Sequence, residues 1–254
     1  MTKEQMYEIF YRQMATDYSV DLDEIRDYSN YVKIDARRPG TRTFKPQNHI
    51  AKAISLHGKF VLCTDEKIFD ETVNLLNIKG EWLSLGQNIE KLNEITRPFG
   101  YLAGHQHHYY LPTGKNAFSS EELENIGSRY EIKWYEKDDL FVFRNDDRFK
   151  NALSFCESAP EMIAVTASRD GKIFGMSGAS ADSEDMWQIG IDVLKEARGK
   201  NIGPLLTILL KEEIMRRGKL PFYGTGESHI QSQKVALKSG FIPEWWEIYS
   251  YPDI

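Results

Sequence analysis

Two cysteines, Cys63 and Cys156, are all that 254 residues contain. They are too few and too far apart for a disulfide framework or for paired metal-ligand spacing, so a reducing compartment is the expectation. No apolar run approaches the ~20 residues that cross a bilayer. The opening MTKEQMYEIF is polar and carries both charge signs, unlike the apolar heart of a secretory leader. Positive charge is also in short supply. Lys and Arg number 32 against 38 Asp and Glu, a formal charge of −6, which disfavours a nucleic-acid surface running over the whole molecule but leaves room for a local basic site. Internal repeats and low-complexity tracts are missing. These absences set the expectation of a cytoplasmic protein with neither membrane nor nucleic acid as partner.

What is present is enough apolar sequence, 41% of residues, for a sizeable core. The polar start, through Tyr7–Tyr28, has the spaced apolar residues of one or two amphipathic helices. KFVLCT (Lys59–Thr64) reads as a buried strand and Asp65–Ile78 as the helix after it. Phe118–Gly127 looks like a helix start capped by Ser119 or Ser120, with glutamates in the first turn. Around it the chain divides into two expected domains, 1–125 and 126–254.

The second half is the more legible. Two apolar runs meet at Arg169-Asp170-Gly171, a hairpin signal. Met186–Leu194 alternates as a strand does. Pro204–Gly218 has the wide apolar face of a helix, stopped by Gly218. A short strand, LPFYGTG, then a helix at Gln231–Gly240 and an aromatic, edge-like strand, FIPEWWEIYSY, complete the chain. The order hairpin, strand, helix, strand, helix, strand indicates a mixed α/β sheet covered by helices.

Between the alternating strand and the long helix lies KEARGKNIGPLL, Lys195–Leu206. Lys195, Arg198 and Lys200 oppose a single Glu196, so this loop is basic in an acidic protein. Successive backbone N–H groups at the opening of a helix form a concavity for an anion, and the positive end of the helix adds to the attraction. Gly199 and Gly203 permit left-handed angles and close approach of a ligand, and asparagine is among the better substitutes for glycine at such an angle. A diphosphate fits such a site. The competing reading is a solvated basic β–α turn. The loop lacks the Gly-Lys-Ser/Thr ending of a P-loop and the three-glycine spacing of a dinucleotide fingerprint.

IDVLKEARGKNIGPLL resembles the cofactor motif of the GNAT superfamily of N-acyltransferases: Arg or Gln, two residues, Gly, one residue, then Gly or Ala. Arg198, Asn201 and Gly203 occupy those positions, with asparagine in place of the middle glycine. SQKVALKSGF (Ser232–Phe241) is similar to the helix and Gly-Phe turn that close the fold. The run GMSGASADSEDMWQIGIDV looks like a subgroup having an additional N-terminal domain. The resemblance covers Pro160–Tyr249 well and residues 1–130 faintly.

It implies a C-terminal GNAT-like mixed sheet flanked by helices and an N-terminal α/β accessory domain that helps enclose the acceptor. It further implies acetyl-CoA as co-substrate, lying in an opening between two parallel strands. The backbone of Ile191, Val193 and Leu194 is then expected along the pantetheine arm. The amides of Arg198, Gly199, Lys200, Asn201, Ile202 and Gly203 are expected on the pyrophosphate, with Ser232 also beside the cofactor. The implied reaction is direct acetyl transfer to a small-molecule or peptide amine, with the Val193 N–H polarising the thioester carbonyl.

Acyl transfer needs an uncharged amine, a polarised carbonyl and a route for protons. In relatives the departing thiolate is frequently protonated by a tyrosine four residues before the Gly-Phe pair. Here that residue is Ala236. Nearby polar candidates are Glu227, as proton acceptor, and His229, whose ordinary pKa suits either role. The bland alternative makes them a helix start facing solvent. Asp192 is either a substrate-side carboxylate or a capping one, and the acidic stretch Asp182–Asp185 either attracts a cationic amine or is an ordinary turn.

His105 and His107, in HQHHYY, would share a strand face, but nothing local completes a metal set. No metal is expected. Trp187, Trp245 and Trp246 read as core or interface aromatics. Two alternatives to an enzyme stay open: an acyl-CoA-binding sensor or regulatory module, which Ala236 favours, and a protein-interaction role for the aromatics. A homodimer is open as well, since a second chain could cover the C-terminal strand.

Overall fold

The computed structural model describes residues 1–43, 48–104, 106–113 and 115–253. The chain forms two compact units, one made of Tyr7–Tyr109 with Glu244–Ile254, the other of Met1–Met6 with Tyr110–Pro243. The last eleven residues group with the N-terminal unit.

In the N-terminal unit, helices α1 (Lys3–Asp17) and α2 (Leu22–Arg26) precede β1 (Tyr31–Ile34) and the hairpin β2 (Ala51–Leu56) and β3 (Lys59–Thr64). His57 and Gly58, at φ 52° and 79°, make the tight turn between them. Helices α3 (Phe69–Val73) and α4 (Gly86–Thr96) lead to β4 (Tyr101–Ala103) and β5 (His107–Pro112). The expected helix over Asp65–Ile78 is broken into α3 flanked by 3-10 turns. Phe60, Leu62, Ile68, Leu75 and Leu92 form the core with Trp246 and Ile248.

Beyond Tyr109 the chain builds the second unit. Helix α5 (Ser120–Gly127) opens with a capping box, since Ser119 Oγ accepts from the Glu122 N–H and the Glu122 carboxylate accepts from the Ser119 N–H. Strands β6 (Glu131–Glu136), β7 (Glu161–Arg169), β8 (Lys172–Ala181) and β9 (Met186–Val193) run successively antiparallel to one another. Asp170 and Gly171, both at positive φ, make the two-residue turn of the β7–β8 hairpin. Helix α6 (Ile202–Arg216) then carries the chain to β10 (Leu220–Gly226), parallel to β9, and α7 (Ile230–Lys238) precedes β11 (Phe241–Pro252). The sheet is therefore mixed, flanked by helices, with the order β6-β7-β8-β9-β10 in this unit.

Period-two alternation explains why β7 is apolar almost throughout. Ile163, Val165 and Ala167 pack with Ile202, Leu206, Leu210 and Ile214 of α6, while Ala164 faces a second cluster of Leu140, Phe143, Phe149 and Leu153. On that second face two paired glycines let a loop cross the sheet. A Cβ on Gly190 would stand 1.8 Å from the Asn151 carbonyl oxygen, and one on Gly178 would stand 2.3 Å from that of Ala152. The buried Lys211 of α6 donates from Nζ to the Ser239 carbonyl at 2.8 Å, tying the end of α7 to α6.

β11 is not an edge strand. Trp246–Tyr249 pair with β2 and Ser250–Pro252 with β4, and in the N-terminal unit the order is β1-β3-β2-β11-β5. Pro243 lies within β11, two residues past its start at Phe241. Glu247, fully buried, bonds Arg42 and the Trp245 indole, and Arg42 also bonds Asp17.

Candidate active site

Strands β9 and β10 pair over Met186–Ile189 and Leu220–Tyr223, and there the pairing stops. β9 continues to Val193 and β10 to Gly226, so beyond Ile189 and Tyr223 the two parallel strands no longer share a ladder. β9 stays bonded to β8 on its other side through Val193. The Leu194 N–H donates to the Phe174 carbonyl at 2.9 Å, which sets the alternation: the backbone groups of Val193 and Ile191 turn away from β8, to the side on which β10 has left. Leu194 itself is spent, because its carbonyl accepts from Ala197 N–H. Ile191 and Val193 thus turn backbone groups to that side, while both backbone groups of Leu194 are bonded within the protein.

The loop after β9 makes one 3-10 turn, Lys195–Ala197, and then two left-handed steps, Gly199 at φ 76° and Asn201 at φ 58°, ψ 21°. Asparagine thus stands where the backbone asks for glycine-like freedom, and its short polar side chain makes that tolerable. The first helical bond is Leu205 N–H to the Asn201 carbonyl. The N–H groups of Gly199, Lys200, Asn201, Ile202 and Gly203 have no acceptor among the described residues. That of Arg198 is held by the Lys195 carbonyl at 3.4 Å. Five orphan donors at the positive end of a fifteen-residue helix concentrate positive potential on one spot.

Side chains brace this arrangement. Arg198 Nε donates to the Val193 carbonyl at 3.2 Å, Lys200 Nζ to the Glu196 carbonyl at 3.1 Å, and Lys238 Nζ to Asn201 Oδ1 at 3.2 Å. Lys238, which no loop pattern could reveal, comes from the end of α7. Because β9 and β10 are parallel, the loop after the first and the turn after the second leave the same end of the sheet.

That second turn holds Glu227, Ser228 and His229, all exposed. His229 occupies the cap position of α7, its carbonyl accepting from Ser232 and Gln233 N–H, and the Glu227 carbonyl accepts from Gln233 Nε2 at 2.7 Å. Asp192, by contrast, is a capping group: it accepts from the N–H of Asn151 and Ala152 and from Asn151 Nδ2, at 2.7–3.0 Å. The acidic loop is an ordinary turn, with Asp182 accepting from Ser180 Oγ and Asp185 paired to Lys219. Of the histidine run, His105 lies outside the described residues, and His107 stacks against Tyr249 in the N-terminal unit. Trp187, Trp245 and Trp246 are buried.

Two hydroxyls escape sequence reasoning. Tyr223, at the last paired position of β10 and 2% exposed, shares a hydrogen bond of 2.9 Å with Ser232 Oγ of α7. Burial, with the Asp192 and Tyr110 groups adding to it against the Ser232 bond, pushes the phenol up to about 12. Two residues on, Thr225 is 4% exposed and its Oγ1 has no partner among the described residues. Same-face spacing at i, i+2 was the available signal, but only the end of the β9–β10 ladder shows that this face borders an opening.

Residues 123–241 match the profile of the acetyltransferase (GNAT) family. Among solved structures, a GCN5-related N-acetyltransferase-like protein of Streptococcus suis is 14% identical, over 98% of this chain and 99% of that one, with a TM-score of 0.48. A GNAT-family acetyltransferase of Colwellia psychrerythraea is 11% identical over 99% and 97%, at 0.46. A protein of Salmonella typhimurium, solved with acetyl-CoA as its cofactor, is 14% identical over 49% and 94%, at 0.34. No curated protein matches the sequence. GNAT enzymes use acetyl-CoA in acetyl transfer. Residues 123–241, the part of the chain that matches the GNAT family, carry the separated strand pair, the loop of free amides and α7.

Proposed function

We propose that this protein is an acetyl-CoA-dependent N-acetyltransferase that passes the acetyl group directly to a primary amine of a small molecule or peptide. The observation that carries the reading is a coincidence of two features: among the described residues, five backbone N–H groups without acceptors lead into and open α6, at the end of the sheet towards which β9 and β10 cease to pair. The buried, unbonded Thr225 Oγ1 on the free end of β10 is a third polar group left for something other than protein.

In this reading the amides of Gly199–Gly203 hold the diphosphate, with Arg198 and Lys200 adding a screened attraction. The edge of β9 serves the pantetheine arm. Val193 and Ile191 offer N–H groups on that edge, one for a pantetheine amide and one for the thioester oxygen, where a fixed dipole in a water-poor cleft polarises the carbonyl. Arg198, by holding the Val193 carbonyl, fixes the end of the strand that carries these donors. Ser232, on α7, borders the arm. Glu227, exposed at the mouth, accepts the proton that the amine sheds, and His229 beside it is the alternative acceptor.

Calorimetric titration with acetyl-CoA is expected to show saturable one-to-one binding that weakens as salt rises. A panel of primary amines, followed by release of free thiol, then identifies the acceptor class. Absence of binding at millimolar acetyl-CoA refutes the reading; binding without turnover on any amine favours an acyl-CoA sensor.

A further inference from the structure

We infer that Tyr223, backed by Ser232, is the proton donor to the departing thiolate, a role that rests on the transferase reading above. Acyl transfer from a thioester ends with an electron pair on sulfur, and a proton held close by prevents the thiolate from returning to the carbonyl. The expected position for such a donor, residue 236, is an alanine with no exposed surface. Ser232 and Ala236 stand one turn apart and so share a face of α7. The hydroxyl which that face does carry is already joined to another, Tyr223.

The location of Tyr223 gives the pair its meaning. It is the last β10 residue paired with β9, opposite Ile189, so it sits at the vertex where the strands part. The phosphate-binding amides lie past the C-terminal end of β9, and an arm running from them along Val193 and Ile191 ends at this vertex. Thr225, next on the same face, leaves its hydroxyl unbonded. Its neighbour's phenol is fully protonated at neutral pH, because burial holds its pKa far above 7. Ser232 is half-buried, which connects the interior phenol to the partly exposed surface of α7.

The proton balance closes. The amine nitrogen bonds to the acetyl carbon and loses a proton at the mouth of the site. The carbon–sulfur bond breaks with its electron pair on sulfur, which takes the Tyr223 phenol proton. The phenolate takes the Ser232 hydroxyl proton, and Ser232 is reprotonated from solvent. Free thiol and N-acetyl amine leave, and both residues return to their starting state.

The test compares the wild type with Tyr223→Phe and with 3,5-difluorotyrosine at position 223, a fluorinated phenol of lower pKa. Acetyl-CoA binding by calorimetry and thermal melting control for folding. Tyr223→Phe keeps the buried ring, so binding is expected within about twofold of wild type, while kcat for thiol release falls roughly 10²- to 10³-fold, the usual worth of a positioned acid. The fluorinated enzyme is expected to remain active at pH 7 but to lose rate as pH rises through a range where the wild type is level. Its fluorine resonance should also shift when coenzyme A alone is added, a readout independent of turnover. Undiminished kcat in Tyr223→Phe, or coincident pH profiles, overturns the assignment. Binding of acetyl-CoA without thiol release from the wild type does so too, since no thiolate then departs. Failure of the wild type to bind acetyl-CoA is the distinct result that removes the transferase reading and this proposal with it.

Discussion

Asn201 shows how little room a departure from a pattern leaves at a single residue. It occupies the middle glycine position of the family motif with φ 58°, and left-handed backbone is cheap for Gly, tolerable for Asn and costly for a branched side chain. Asn201→Gly is therefore expected to bind acetyl-CoA within about threefold of wild type. Asn201→Val should weaken binding about tenfold, since a misfit of ~1–2 kcal/mol at this φ pulls the loop away from the shape in which its amides converge. Equal affinities for the two variants would show that the shape of this turn does not govern binding. Residue-level features of this kind were legible in the sequence, because glycine, asparagine and basic side chains announce a backbone conformation. Tyr223 and Thr225 were not. A tyrosine and a threonine two apart in an apolar run look like core, and nothing local says that the neighbouring strand departs beside them. Asp192 was ambiguous for the same reason, as its partners Asn151 and Ala152 lie forty residues away.

At the level of elements, β9 is the piece on which the site depends, and it is held from behind. The Asn151–Ala152 segment lies directly on Gly190 and is fastened by the Asp192 carboxylate. A methyl group at 190 has nowhere to go. Gly190→Ala is expected to destabilise the fold by about 1–3 kcal/mol through overpacking, with a lowered urea midpoint and weaker acetyl-CoA binding as the β9 edge shifts. Unchanged melting and binding would mean that the loop yields freely there. The elements themselves were largely readable: the Asp-Gly hairpin, the alternating Met186–Val193, the wide apolar face of α6 and the Ser119 cap all follow from local chemistry. The long helix expected at Asp65–Ile78 is interrupted by 3-10 turns, and β11 looked like an edge because Pro243 stands near its start, while its partners β2 and β4 are remote in sequence.

The two units as wholes are where sequence reading gave least. That Glu244–Ile254 group with Tyr7–Tyr109 could not be read locally, since strand partners remote in sequence leave no local mark. Trp246 and Ile248 complete a core otherwise built from residues 50–103, and Glu247 supplies one of the two carboxylates that neutralise the buried Arg42. Removing residues 244–254 is therefore expected to unfold the N-terminal unit, because a buried ion pair that loses one partner costs about 3–5 kcal/mol and the apolar loss adds to it. Hydrogen exchange should show the amides of β2 and β3 losing their protection; full retention would contradict the account. The same topology has a consequence for biosynthesis. Domains ordinarily fold in the order in which the ribosome delivers them, but the N-terminal half of this chain emerges first and has to wait, incomplete and exposed to chaperones and proteases, until residues 244–252 arrive.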